Sequence, residues 1–464
     1  MTISPSEALA GLWQALDQPA AALSRVTLTG EEPALPSSFA VGTAAQASIA
    51  AATLAAAEIW RLRTNTVQQA MIDMRHAAAE FRSERYLRID GAPAPELWDK
   101  IAGTYACGDG GWVRLHTNFP HHRDGVLAIL GCTYDRDAVA AALHSWQAEA
   151  FEQKAAEAGL VVTAMRSFAQ WDAHPQGRAV AALPVLSLEK IGEAPPRPLP
   201  PGTRPLSGVK VLDLTRIIAG PVAGRTLAAH GAEVLLVTAP HLPASSPLVI
   251  DTGRGKRSAQ LDLRDSGDKT RFAGLLRAAD IVIQGYRPGG IAALGYGPEE
   301  AAARHPGIVY ASLSAYGPDG PWADRRGFDS LVQTASGLNV AEAEAAGQDG
   351  PKPLPAQALD HASGYLLAYG AMAALARQVQ EGGSWHIRVS LAQTGHWLRG
   401  LGRIESGLDC PDPALEDIRD LLEETPCGFG RLTAIRHAGL LSDTPPRWDH
   451  PSVPLGTHAA RWEG

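Results

Sequence analysis

"LSGVKVLDLTRIIAGPVAGRTLAAHGAEVLLV", residues 206–237, reads as strand, turn, helix and strand. "GVKVLDL" (208–214) and "EVLLV" (233–237) are short apolar runs of strand length, and "GPVAGRTLAAHGA" (220–232) between them is a small-residue helix. A helix joining two buried strands is the unit from which parallel sheets are built. The alternation continues with strands in "RSAQLDL" (257–263), "ADIVIQGY" (279–286) and "GIVYASLSAYG" (307–317). Helical segments, "KTRFAGLLRAA" (269–279) and "GPEEAAARH" (297–305), lie between them. The pattern predicts a doubly wound, Rossmann-like α/β domain in the C-terminal part of the chain.

Upstream, residues 191–207, "IGEAPPRPLPPGTRPLS", carry proline at a density that excludes helix and central strand and favours an extended linker. Four segments result: a helical N-terminal extension (1–40), a smaller α+β region (41–190), the linker (191–207) and the large domain (208–464). The smaller region is mostly helical, with "GGWVRLHTNF" (110–119) as its strand. It also holds a degenerate repeat. Residues 43–84 follow the pattern of residues 358–400: small-residue helix, basic exit, turn, short strand, helix. Aligned at the basic exits, position 360 falls near Ala44 or Ala45, so the first copy lacks the carboxylate of Asp360.

The chain has 464 residues, 45% hydrophobic and 19% charged, the balance of a globular protein. A net charge of −8 gives no general attraction to nucleic acid or anionic membranes. No apolar run is long enough to span a bilayer, and "MTISPSEALAGLWQALDQ" lacks the basic and apolar regions of a signal peptide. The four cysteines, Cys107, Cys132, Cys410 and Cys427, include no CxxC pair, and the expected compartment is the reducing cytoplasm.

Several features carry candidate chemistry. Asp360 heads the apolar segment "ALDHASGYLLAYGAMAALA" (358–376), where it is either a helix cap or a nucleophile. The turn "RIIAGPVAGRTLA" (216–228) brings glycines 220 and 224 to a helix N-terminus, whose free N–H groups favour phosphate. It is neither GxGxxG nor a P-loop, and it reads equally as a plain tight turn. "IQGYRPGG" (283–290) follows its strand and so belongs at the ligand crevice of an open sheet. The basic run 254–257 precedes its strand and is less directly placed. Arg287 and Lys256 suit phosphate oxygens, and Tyr286 suits the flank of a base. His116, His121 and His122 in "LHTNFPHHRDG" have no companion ligands at metal-site spacing and are expected in a polar loop, without a metal. His396 reads as packing, and the cysteines as inert thiols.

In order, "LSGVKVLDLTRIIAGPVAGRTLAAHGAEVLLV", "GKRSAQLDL", "ADIVIQGYRPGGIAALG", "PGIVYASLSAYGPDGPWADRRGFDSLVQTASGL" and "QALDHASGYLLAYGAMAALA" resemble the large domain of the family III CoA-transferases, the group of formyl-CoA transferase and carnitine CoA-transferase. "LLSDTPPRWDHPSVPLGTH" resembles the family's tail. "YACGDGGWVRLHTNF" and "AEAGLVVTAMRSFAQWDAHPQG" resemble its small domain, but here they precede the large one, as in a permuted or duplicated-and-trimmed chain. The resemblance implies a CoA-transferase in which Asp360 is the nucleophile and passes through an aspartyl-CoA thioester. It implies CoA contacts from Ile218, Ala219, Gly253, Arg254, Lys256, Gly285, Tyr286, Arg287, Ser314, Ala315, Tyr316 and Gly317. Acyl-CoA and a carboxylic acid would be substrates, with no permanently bound cofactor, and the protein would be a homodimer, for which the resemblance implies the family's interlocked form. Two family cations are missing, at Ala293 and Ser314, and the N-terminal half is one place from which replacements could come. The family's Gly-rich lid is not evident. The related α-methylacyl-CoA racemases have a histidine where this chain has Phe328, which disfavours racemisation. A non-catalytic CoA-binding paralogue is the other alternative.

Overall fold

The structure, a computed structural model, describes residues 2–463. Its centre is a seven-stranded sheet. The strands in chain order are β1 (Leu186–Gly192), β2 (Lys210–Leu214), β3 (Glu233–Thr238), β4 (Lys256–Gln260), β5 (Ile281–Gln284), β6 (Val309–Ser314) and β7 (Ser384–Ser390). They lie in the order β4-β3-β2-β5-β6-β7-β1. Every neighbouring pair is parallel except β7 with β1 at the edge. Interior strands buried on both faces need continuous apolar runs, and β2 and β5 supply them with Val211, Leu212, Ile281 and Ile283. After β2 the chain moves one way to β3 and β4, then returns to β5 and β6 on the other side. The order therefore reverses between β2 and β5, and the crevice beyond their C-terminal ends is where such a sheet receives ligands.

All the strands expected for the large domain lie in this sheet. β1 was not anticipated: it runs straight into the proline-rich segment, and its partly exposed residues mark it as an edge. The smaller region has its own antiparallel sheet, of Gly103–Ala106, Trp112–Leu115 and Val162–Ala164. That sheet packs on the helix Ala148–Glu157 through Val113, Leu115 and Phe151. No helix among the described residues is long and apolar enough to cross a membrane.

The repeat is explicit in three dimensions. Helices α1 (Val41–Thr64) and α4 (Ala358–Glu381) each have 24 residues and pack directly against each other. Both start from the same unusual backbone, φ −75°, ψ 62° at Ala40 and φ −76°, ψ 61° at Gln357. Each leads to a strand and a further helix, Ala70–Asp73 with Met74–Glu80 and β7 with Leu391–Gly400. Matching the helix starts puts Thr43, not Ala44 or Ala45, at the place of Asp360. Alignment at the basic exits misses this because Arg377 lies one residue nearer its helix start than Arg61 does.

Candidate active site

Asp360 is the third residue of α4, in the first turn, where free N–H groups and the helix dipole favour a carboxylate. Its own N–H donates to Oδ2 of Asp329 at 2.9 Å. Asp329 begins the helix α3 (Asp329–Ala335), is fully buried, and accepts a second bond from the Gln333 side-chain amide. The same device caps α1, where the Thr43 N–H donates to Oε1 of Glu32 at 2.6 Å. A carboxylate is thus the cap of both helices, and Asp360 is a second one added beside the cap. Burial raises the Asp360 pKa well above its ordinary value, and the charges of Asp329 and Glu84 add to the effect. Burial also pushes Asp329 up, to about 6. His361 is engaged elsewhere, with Nε2 3.1 Å from Glu84 and its ring stacked on Phe81 at 5.4 Å.

Two cavities meet at Asp360. The larger, about 500 Å³, lies beyond β2 and β5 and is lined by residues 216–219 and 285–288, as the strand order requires. The smaller, about 340 Å³, is closed by Pro95–Asp99, His116 and Asn118 of the small region. Phe119, Ile217, Ile218, Phe328 and Asp360 line both. Ile217 sits at φ 77°, a conformation that costs a β-branched residue of order 1–3 kcal/mol and that the surrounding structure must impose. Phe328 is stacked face to face on His116 at 3.8 Å.

The larger cavity is strongly cationic. Arg216, Arg287, Arg325 and Arg326 line it. Arg325 lies 3.5 Å from Glu152, but Arg287 and Arg326 form no ion pair among the described residues. Burial and the nearby positive charge of Arg287 both lower the Arg326 pKa. Two like charges held together without a carboxylate make a site for a polyanion. His121 and His122 line the same wall, and burial pushes His122 down to about 3, so it adds no charge at neutral pH. No cluster of metal-ligating side chains occurs among the described residues.

Of the residues singled out in the sequence, Ile218, Ala219, Gly285, Tyr286, Arg287, Ser314, Ala315 and Asp360 share the larger cavity. Five others do not line it. Gly253 lines a small neighbouring pocket. Arg254 is buried against Asp251 and lies over the Trp448 ring at 4.2 Å. Lys256 donates to Asp213 at 2.8 Å and to the Pro221 carbonyl at 2.7 Å, so its charge is spent inside the domain. Tyr316 is buried edge-on against Trp322 at 4.9 Å, and Gly317 donates to Ser314 Oγ at 3.2 Å. Glycines 220 and 224 serve packing rather than ligand approach. A Cβ on Gly220 would lie 2.4 Å from Thr215, and one on Gly224 would lie 2.4 Å from the Asp213 carboxylate. The sequence reading passed over Arg216, Arg325, Arg326, Asp329 and the aromatic wall of Trp98 and Phe119. His116, expected in a polar loop, is instead buried at the junction. Ala293, where the family has a cation, sits in a 3-10 turn, and the arginines at the cavity come from the large domain's own loops rather than from the N-terminal half.

Residues 206–403 match CoA-transferase family III. An acyl-CoA transferase of Gibberella moniliformis is 31% identical over 378 residues, covering 72% of this chain and 66% of its own length. A probable fatty acyl-CoA transferase of Mycobacterium tuberculosis is 34% identical over 46% of this chain and 58% of its own. The human succinyl-CoA:glutarate CoA-transferase is 32% identical over 39% of this chain and 43% of its own. In each case the chain spans less than two thirds of the relative's length.

Proposed function

The chain belongs to CoA-transferase family III through residues 206–403, and from that premise we propose that it moves CoA from an acyl-CoA donor to a carboxylic acid through a covalent intermediate on Asp360. The observation that carries this reading is a buried carboxylate at the only junction of the two cavities described above, one of which is cationic. The cationic cavity holds the CoA phosphates against Arg287 and Arg326, which have no carboxylate of their own. The thioester carbonyl then lies at Asp360.

The ionised carboxylate of Asp360 attacks that carbonyl carbon. The C–S bond breaks, leaving a mixed anhydride and CoA thiolate. The thiolate attacks the aspartyl carbonyl, releasing the donor acid and leaving an aspartyl-CoA thioester. The acceptor carboxylate attacks this thioester, and the thiolate is expelled and then captures the acceptor's acyl carbon, which restores Asp360. Splitting one exchange into steps of similar height is what covalent catalysis contributes. The first N–H groups of the helix α2 (Ala219–Ala229), whose Ala219 lines the larger cavity beside Asp360, suit the oxyanion of each tetrahedral species.

Trapping tests the reading. On incubation with acyl-CoA and then hydroxylamine, the peptide containing Asp360 is expected to carry the hydroxamate mass, and Asp360→Ala is expected to carry none. Calorimetric CoA binding with no adduct for any donor would instead indicate a binding protein. Racemisation finds little support here: the position of the racemase histidine is a phenyl ring stacked on His116, and burial pushes that imidazole down to about 3.

The nucleophile must be ionised, so adduct formation is expected to rise with pH along an acid limb displaced upward from ordinary carboxylates. The apparent values belong to the Asp329–Asp360 pair rather than to either residue. Asp329→Asn keeps an oxygen to accept the Asp360 N–H but removes a neighbouring charge. It is expected to move the acid limb to lower pH, as read from kcat/KM profiles. A limb that stays in place would mean that Asp329 carries no charge that Asp360 senses.

A further inference from the structure

The smaller cavity is walled by the apolar side chains of Trp98, Phe119, Leu248 and Phe328. Its ionisable lining is acidic or neutral. Glu96 and Asp99 contribute carboxylates, and the one imidazole, His116, is buried and pushed down to about 3, hence uncharged. No lysine or arginine lines it among the described residues. The guanidinium of Arg114 is not part of the lining and lies over the Trp98 ring at 5.0 Å. The Asp99 carboxylate is fully engaged, by the Thr117 hydroxyl at 2.7 Å, the Tyr134 hydroxyl at 2.6 Å and the Ile101 N–H at 3.1 Å.

This inference rests on the transfer reading above. If CoA fills the cationic cavity and its thioester meets Asp360, the acyl group extends into the second chamber. We infer that this chamber selects acids with a single carboxylate, and that the protein exchanges CoA between monocarboxylic acids while rejecting dicarboxylic ones. Its volume of about 340 Å³ is in the range of small-molecule pockets, roughly 300–1,000 Å³. A dicarboxylate would bring its second charge to a wall that offers two carboxylates, the exposed Glu96 and the partly buried Asp99, and no cation, so like-charge repulsion opposes it. The human relative named for succinyl-CoA and glutarate handles two such acids, so the two proteins differ in what the acyl end must meet.

The experiment is the rate of Asp360 labelling by separate donors on the full chain: butyryl-CoA and hexanoyl-CoA against succinyl-CoA and glutaryl-CoA. The monocarboxylic donors are expected to label faster by about tenfold or more. Ser246→Arg places a cation on an exposed position of the chamber wall and is expected to raise succinyl-CoA labelling by roughly tenfold. Succinyl-CoA labelling the unaltered protein as fast as butyryl-CoA overturns the inference. If Arg114→Gln then abolishes that labelling, the guanidinium reaches the chamber past Trp98. No labelling by any donor overturns the transfer reading, and this one with it. Labelling by dicarboxylic donors alone overturns only this one.

Discussion

Asp360→Asn is expected to lower CoA exchange by about four orders of magnitude or more, the scale of loss when a covalent nucleophile is removed. Asparagine keeps the size of the side chain and the backbone N–H that binds Asp329, so the loss is chemical rather than structural. CoA affinity, which the proposed function assigns to Arg287 and Arg326 in the larger cavity, is expected to stay within a few-fold by calorimetry. The same substitution is expected to stabilise the protein at neutral pH. Asp360 has a folded-state pKa above its unfolded one, so the folded protein binds more protons and loses stability as pH rises above about 4. Removing the charge cancels that loss, with a rise in unfolding midpoint on the order of 2–4 °C at pH 7 and none below about pH 4. Lower stability at pH 7 would show that the carboxylate holds the fold together and would weaken its reading as an added nucleophile.

Arg225→Met is expected to destabilise the protein by about 3–5 kcal/mol, read from urea unfolding, because it leaves the buried Glu80 without its ion pair and Asp251 with Arg254 alone. Arg225 is completely buried, 2.8 Å from Asp251 and 3.5 Å from Glu80. Glu80 also accepts from the Tyr365 hydroxyl and, at 2.6 Å, from the Ala438 N–H; Asp251 accepts from Ser83 at 2.6 Å. The network joins the helix after α1, the helix α2, the helix α4 and the C-terminal tail. Burial opposes both carboxylates, but neighbouring cations, Arg225 among them, hold Glu80 and Asp251 below the usual range. Their contribution is therefore complete above about pH 5 and lost on acidification through the folded values. Adding Glu80→Gln and Asp251→Asn to Arg225→Met is expected to recover part of the loss. No recovery would place the effect in lost packing instead.

The parallel strands of the large sheet were legible because each declares itself locally, whereas the antiparallel edge strand β1 was not. Runs such as "KVLDL" and "DIVIQ" are apolar, short and separated by helices, which points to a parallel, doubly wound sheet but leaves the strand order open. Asp360 was legible as an ionisable group opening an apolar helix. What escaped depends on contacts between distant residues. Lys256 looked like a phosphate ligand until the fold placed Asp213 beside it. Glycines 220 and 224 looked like room for a ligand and are occupied by Thr215 and Asp213. The second chamber brings residues 95–119 against residues 244–248 and 357–360, a meeting that no local pattern encodes. His116 was misjudged for the same reason: its loop is covered by Phe328, which lies far along the chain.

The matched helices have a consequence for anyone dissecting this protein. The first eighteen residues of α4 are all buried, and α1 is buried from Val41 to Ile59. Neither is an amphipathic surface helix; each serves as part of the other's solvent. The first copy has Thr43 where the second has Asp360, yet it cannot be discarded, because it shields the apolar flank of the helix that holds Asp360. A fragment cut at the linker to isolate the family domain would carry Asp360 and most of the cationic cavity, and also a long strip of bare alanine and leucine. Such a fragment is expected to come out of the cell as aggregate: the worn-out copy has become the folding chaperone, built into the chain, of the working one.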